Sequence, residues 1–159
     1  MLKKLEILST MDILTGTLNR NAMNNRIESL KADGINIKTL GTIYMDLNGL
    51  KMVNDTSGHA EGDHFLKKAA AQLHQIFVED EIYRIGGDEF MILVQDNSRE
   101  EFEEKIRELE EAQTRLSFAI GACFQEGEID IIAAMRAADK NMYKNKEKYY
   151  STHPELQYR

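Results

Sequence analysis

Three acidic positions carry the chemistry legible in this sequence: Asp46 and the adjacent pair Asp88–Glu89. The pair follows two glycines in YRIGGDEFMIL (83–93), where apolar runs on both sides read as the strands of a buried hairpin. Carboxylates in a buried turn are costly unless something neutralises them, and nothing inside this stretch does. Three acids brought together call for a hard divalent cation. Oxygen donors with open coordination positions suit Mg²⁺ or Mn²⁺ held jointly with substrate phosphates. Such a centre runs phosphoryl or nucleotidyl transfer, activating an attacking hydroxyl and steadying a leaving phosphate. Taken alone, Gly-Gly-Asp-Glu reads more simply as turn chemistry.

A second cluster, MDLNGLKMVNDTSGHAEGD (45–63), weighs against that simpler reading. Asn54 and Asp63 flank Gly58, His59 and Gly62 in a stretch that reads as a short helical turn, then a loop, then a helix beginning at Asp63. Backbone N–H groups at helix starts bind anions without basic side chains. A carboxylate accepts from N1–H and N2–H₂ of guanine, and an Asn amide serves the neighbouring O6. Adenine lacks those donors and would leave the acid unsatisfied. Individually, Asp63 reads as a helix N-cap, Asn54 as a turn residue and His59 as a loop histidine. Together with Asp46 they form a purine-nucleotide site.

The elements that must position these residues follow from periodicity. RNAMNNRIESLKA (20–32) carries Met23, Ile27 and Leu30 on one helical face, and Asp33-Gly34 ends it. TLGTIYMDL (39–47) is a strand with Asp46 near its end. From Asp63, the residues Phe65, Leu66, Ala69, Ala70, Leu73, Ile76 and Phe77 form one helical stripe. Residues 81–86 and 89–95 are strands joined at Gly86-Gly87, a dipeptide suited to the positive φ angles of a tight hairpin. A helix over 98–113, a strand over 116–124 and a helix over 129–146 complete the chain, and the tail STHPELQYR has no clear element. The core order βαββαβ is ferredoxin-like (α+β), a largely antiparallel sheet with the core helices on one face. That arrangement sets the first strand beside the hairpin and brings Asp46 to Asp88 and Glu89.

Composition bounds the reading. A chain of 159 residues suits one domain. There is no apolar run of membrane-spanning length, so no membrane contact is expected from this segment, and a single cysteine fits a cytoplasmic location. Twenty basic against twenty-seven acidic residues, a net charge of −7, argue against binding a nucleic-acid polymer.

The stretches DILTGTLNR (12–20), DLNGLKMVNDTSGHAEGD (46–63), RIGGDEF (84–90) and ADKNMYKNK (138–146) resemble, in order and over nearly the whole chain, the GGDEF domain of diguanylate cyclases. The resemblance implies a fold similar to the palm of polymerases and nucleotide cyclases, and an enzyme that condenses two GTP into cyclic di-GMP. Residue by residue it implies Asp46, the Leu47 carbonyl, Asp88 and Glu89 as metal ligands, with Asp88 the base. It implies Asn54 and Asp63 as guanine readers beside His59, backbone phosphate contacts at Gly49 and Leu50, and charge stabilisation from Lys51 and Lys146. Most lysines, by contrast, are simply solvated. It further implies a homodimer for turnover and an upstream sensor domain. Residues 1–11, with LKKLEIL, would then be a signalling helix, 12–150 the domain and 151–159 a tail.

Two departures stand out. Tyr149-Tyr150 occupies the place where the family often has a phosphate-binding arginine. Phe77-Val78-Glu79-Asp80 keeps the aspartate of the usual Arg-x-x-Asp product-inhibition site without its arginine. The alternative to an enzyme is a catalytically weak or inactive GTP-binding regulatory module.

Overall fold

The structure is a computed structural model and describes residues 9–32 and 36–154. Of the helix expected over 1–11, only residues 9–11 are described, 9–10 helical and Met11 bridged to Leu18, and the helix stop expected at Asp33-Gly34 lies outside the described residues. The elements are α1 (Arg20–Lys31), β1 (Thr39–Leu47), α2 (Leu50–Ser57), α3 (His59–Ile76), β2 (Glu81–Arg84), β3 (Glu89–Gln95), α4 (Arg99–Ala112), β4 (Phe118–Glu126) and α5 (Ile131–Thr152). The sheet has the order β2-β3-β1-β4 with every neighbouring pair antiparallel. This is the split βαββαβ arrangement expected from the element order.

Alternation along β1 and β3 builds two cores. Ile43, Met45 and Leu47 with Phe90, Ile92 and Val94 bury against the core helices α3 and α4, through Leu66, Leu73, Phe102 and Leu109. The opposite face, with Leu40, Met91 and Leu93, packs against Met23 and Leu30 of α1 and Ile131 of α5. The core helices thus share one face as expected, and the two helices outside the βαββαβ unit cover the other. α4 starts at a capping box, Ser98 and Glu101 satisfying each other's backbone amides.

Five local expectations are corrected. The short helical turn and loop read over 48–63 are α2 and the start of α3, separated at Gly58 (φ 89°). α3 begins at His59 rather than Asp63, because Gly62 serves as a contact with α2 instead of a break. Neither Gly86 nor Gly87 adopts a positive φ; among the described glycines those are Gly16, Gly49, Gly58 and Gly127. The hairpin connection runs over residues 85–88, with the amides of Ile85 and Gly86 both on the Glu89 carbonyl, so the mirror-image geometry of a two-residue turn is not needed. β4 lies two residues later than expected. α5 continues to Thr152, since its buried stripe Ile131, Ala134, Ala138, Met142 extends through Lys146 and Tyr150.

Both sheet edges are partly covered, β4 along its first half. On the outer side of β2, Leu18 donates to the Ile82 carbonyl (2.9 Å) and accepts from the Arg84 amide (2.8 Å). Along β4, Asn145 Oδ1 accepts from the Ile120 amide (3.0 Å), Asn141 Nδ2 donates to the Ala122 carbonyl (3.0 Å) and Gln113 Nε2 to that of Phe118 (2.8 Å). α5 approaches β4 closely enough that a Cβ on Gly121 would sit 2.0 Å from the Met142 nitrogen.

Candidate active site

The register of the sheet places the acids. Asp46, next to last in β1, is directly opposite Glu89 on β3 and Ala119 on β4. Directly opposed residues share a face with their Cβ atoms about 5 Å apart. The Leu47 amide donates to the Asp88 carbonyl (2.9 Å), which ties the end of the hairpin to β1. One oxygen each from Asp46, Asp88 and Glu89 lie within 4.8 Å of one another. Asp46 is buried (2% exposed) while Asp88 and Glu89 are half-buried. This donor set, three carboxylates of which two are half-exposed, fits a hard divalent cation.

The turn after Leu47 is held from below. The Asn48 amide donates to the Ser117 carbonyl (3.0 Å) and its Nδ2 to Ser117 Oγ (3.2 Å). Gly49 (φ 71°) then opens α2, whose first residue Leu50 is buried and whose second, Lys51, is exposed. Asn54 on α2 lies across Gly62 of α3, where a Cβ would meet Asn54 Oδ1 at 1.7 Å. His59 and Asp63 are exposed on the first two turns of α3. The structure therefore brings Asn54 beside the residue preceding Asp63, at the junction of the two helices.

Lys146 is placed differently from a lysine held open for phosphate. Its Nζ sits 2.5 Å from Asp46 Oδ2, and it is buried (9% exposed) on the inner stripe of α5. Tyr150, one turn further, is 8% exposed, and its ring centroid is 5.9 Å from the Lys146 ammonium. Burial holds the Tyr150 phenol above its ordinary range; the backbone of Gly49 opposes this, and the charges of Asp46 and Asp88 add to it. Tyr44, on the same sheet face, is pushed up to about 12 by burial and by the charges of Asp139 and Glu89, against Arg20.

Two arginines, Arg84 at the end of β2 and Arg20 at the start of α1, hold the signature hairpin. Arg84 Nη2 donates to the Gly87 carbonyl (3.0 Å) while its Nη1 pairs with Asp12 Oδ2 (3.2 Å). Arg20 Nη1 donates to the Ile85 carbonyl (2.6 Å). Asp12 also accepts from Thr15. Both Asp12 and Arg20 belong to DILTGTLNR, so that motif anchors the hairpin. Sequence reasoning assigned no role to Tyr150, Arg84, Asp12 or Arg20. For Tyr150, the signal available was its spacing of four residues from Lys146 and eight from Met142.

An antiparallel sheet that ends in a carboxylate trio beside a helix–helix junction is the layout of a nucleotide-handling palm. The sequence pattern described as "Diguanylate cyclase, GGDEF domain" matches residues 9–151, and the chain belongs to that family. It is 34% identical over 158 residues to the cyclic di-GMP phosphodiesterase PdeR of Escherichia coli (strain K12), covering 91% of this chain and 24% of that protein. It is 31% identical over 148 residues to the diguanylate cyclase DgcN of the same organism, covering 85% of this chain and 36% of that one. The chain therefore spans about a quarter to a third of these relatives. The crystal structure of the coiled coil and GGDEF domain of DgcB from Caulobacter crescentus, in complex with c-di-GMP, shares the fold with a TM-score of 0.81. That likeness has 20% identity, over 92% of this chain and 85% of that one. No helix among the described residues is long and apolar enough to cross a membrane.

Proposed function

We propose that this domain is a diguanylate cyclase, condensing two GTP into cyclic di-GMP with release of two pyrophosphates. The observation that carries the reading is the convergence of Asp46, Asp88 and Glu89 within 4.8 Å at one end of the sheet. These residues, with the Leu47 carbonyl, would hold Mg²⁺ or Mn²⁺, which when bound supplies hydroxyl activation and charge neutralisation. Asp88, at the hairpin end and half-buried, takes the proton from the 3′-hydroxyl. That oxygen then bonds to the α-phosphate of the opposing GTP as its bond to pyrophosphate breaks. The backbone of Gly49 and Leu50 holds phosphates at the start of α2, where helix polarity favours anions, and Lys51 on the same turn steadies their charge. Asn54 and Asp63 read guanine, with His59 nearby. Since each domain would hold one GTP, turnover needs two facing domains, and an upstream sensor would govern their meeting through the segment that precedes residue 12.

The test is incubation of a concentrated or artificially dimerised domain with GTP and Mg²⁺, followed by chromatographic separation of nucleotides. Cyclic di-GMP is the expected product; bound but unconverted GTP would overturn the enzyme reading. A second reading, a GTP-binding regulatory module, draws support from the likeness to PdeR, a cyclic di-GMP phosphodiesterase rather than a cyclase. The same incubation separates the two.

Two further outcomes are expected. Gly62→Ala would drive Asn54 off its position and weaken GTP binding by about tenfold, the value of one buried hydrogen bond, as read by calorimetric titration. An unchanged affinity would remove Asn54 from the guanine site. Product inhibition of the Arg-x-x-Asp kind is also not expected. Phe77 is buried at 1% exposure, and the Asp80 carboxylate is held by Lys105 Nζ at 2.7 Å. Initial rates should stay flat as cyclic di-GMP is added, and a fall traced to binding beside Asp80 would refute this.

A further inference from the structure

We propose that Lys146 is the resident counter-ion of the acidic centre: its ammonium holds Asp46 until a divalent cation replaces it, and then passes to a phosphate of the incoming nucleotide. This rests on the metal-site part of the function proposed above, though not on turnover.

The geometry supports an exchange rather than a shared site. Asp46 Oδ2 and Lys146 Nζ are 2.5 Å apart, and both residues are almost wholly enclosed. A buried carboxylate needs a partner, and the ammonium supplies one without any ion from solution. An ammonium and a dication on one carboxylate repel each other at the same short range as either attraction in a poorly screened interior. Metal binding at Asp46 is therefore favoured when Lys146 moves off it.

The structure also provides somewhere for it to go. Lys146 stands on the last third of α5 with a four-carbon stem, and the Tyr150 ring one turn on lies 5.9 Å from its ammonium. An aromatic face at that distance attracts a cation and can carry it along the helix towards the phenol. The Tyr150 phenol is within hydrogen-bond reach of the Gly49 backbone, in the turn that would receive phosphates. A nucleotide arriving with its cation therefore brings both replacements at once, a dication for Asp46 and an anion for Lys146. A cation arriving alone brings only one. Metal and nucleotide affinities are consequently coupled, each raising the other by the same factor.

The experiment measures Mn²⁺ binding without nucleotide, from the free Mn²⁺ signal in electron paramagnetic resonance, for the wild-type chain and Lys146→Met. The variant is expected to bind Mn²⁺ about tenfold or more tightly, the scale on which neighbouring groups tune metal sites. Equal or weaker binding by a folded Lys146→Met domain would overturn the proposal. That variant exposes Asp46 to burial without its partner, so a second measurement uses the wild type alone. The side-chain ammonium resonance of Lys146, assigned by its loss in Lys146→Arg, should shift when Mg²⁺ is added to saturation. An unmoved resonance under saturating Mg²⁺ would also overturn it. Neither readout involves product formation, so a domain that makes no cyclic di-GMP leaves this test intact.

Discussion

Asp88→Asn is expected to lower the rate of cyclic di-GMP formation by about a thousandfold or more, the upper range for loss of a single group aimed at reaction charge. The melting temperature should not fall. The substitution keeps the shape of the side chain and the backbone carbonyl that accepts from Leu47 (2.9 Å). It also removes one of three negative charges whose oxygens lie within 4.8 Å of one another, so the folded state loses repulsion. Steady-state turnover with GTP and Mg²⁺, together with thermal denaturation, checks both parts. Activity within tenfold of wild type would remove Asp88 from the chemistry. A large fall in melting temperature would make the activity loss uninterpretable as chemistry and so would count against the assignment as well.

Gly121→Ala is expected to produce the largest loss of stability of any single methyl addition discussed here. Its Cβ would lie 2.0 Å from the Met142 nitrogen, 2.1 Å from the Ala138 carbonyl oxygen and 2.7 Å from the Asn141 carbonyl carbon. All three are backbone atoms, so no rotamer change relieves the overlap, and α5 must withdraw from β4. Overpacking of this kind costs about 3 kcal/mol or more, which for a domain of this size is a drop of roughly 6–12 °C in melting temperature. The withdrawal would also strain the bonds from Asn141 and Asn145 to the edge of β4 and draw Lys146 from Asp46. Gly87→Ala is the control, because nothing lies within 4 Å of its Cβ and its φ is ordinary. Its melting point should stay within about 2 °C. A Gly121→Ala domain melting beside the control would show that the helix has room the structure does not give it.

The parts of the fold that were legible in the sequence are those written in runs and stripes. The β-forming runs TLGTIYMDL and EFMILVQ and the helical stripe from Phe65 to Phe77 fixed β1, β3 and most of α3, and their order led to the split sheet. The meeting of Asp46 with Glu89 followed from topology alone, since strands 1 and 3 of that arrangement are neighbours. What escaped was written in single residues whose meaning depends on a distant partner. Gly58 and Gly62 both read as loop signals, yet one ends a helix and the other lets two helices touch through Asn54. Lys146 read as a solvated lysine or a phosphate ligand. Its place four residues after Met142, on the stripe that begins at Ile131, was the available hint that it points inward. Asp12, Arg20 and Arg84 were invisible as a group because their contacts span up to 72 residues.

The covered stretches of the sheet edges limit how two such domains can meet. An open edge strand invites another chain to add on, an association that is long-lived and can propagate into aggregates. Here Leu18 occupies the outer groups of β2, and the side chains of Gln113, Asn141 and Asn145 occupy those along the first half of β4. Encounters between copies are thereby steered to loops and helix surfaces, where contacts are side chain to side chain and easily undone. Two copies that meet over such surfaces can part again, in a handshake rather than a seam.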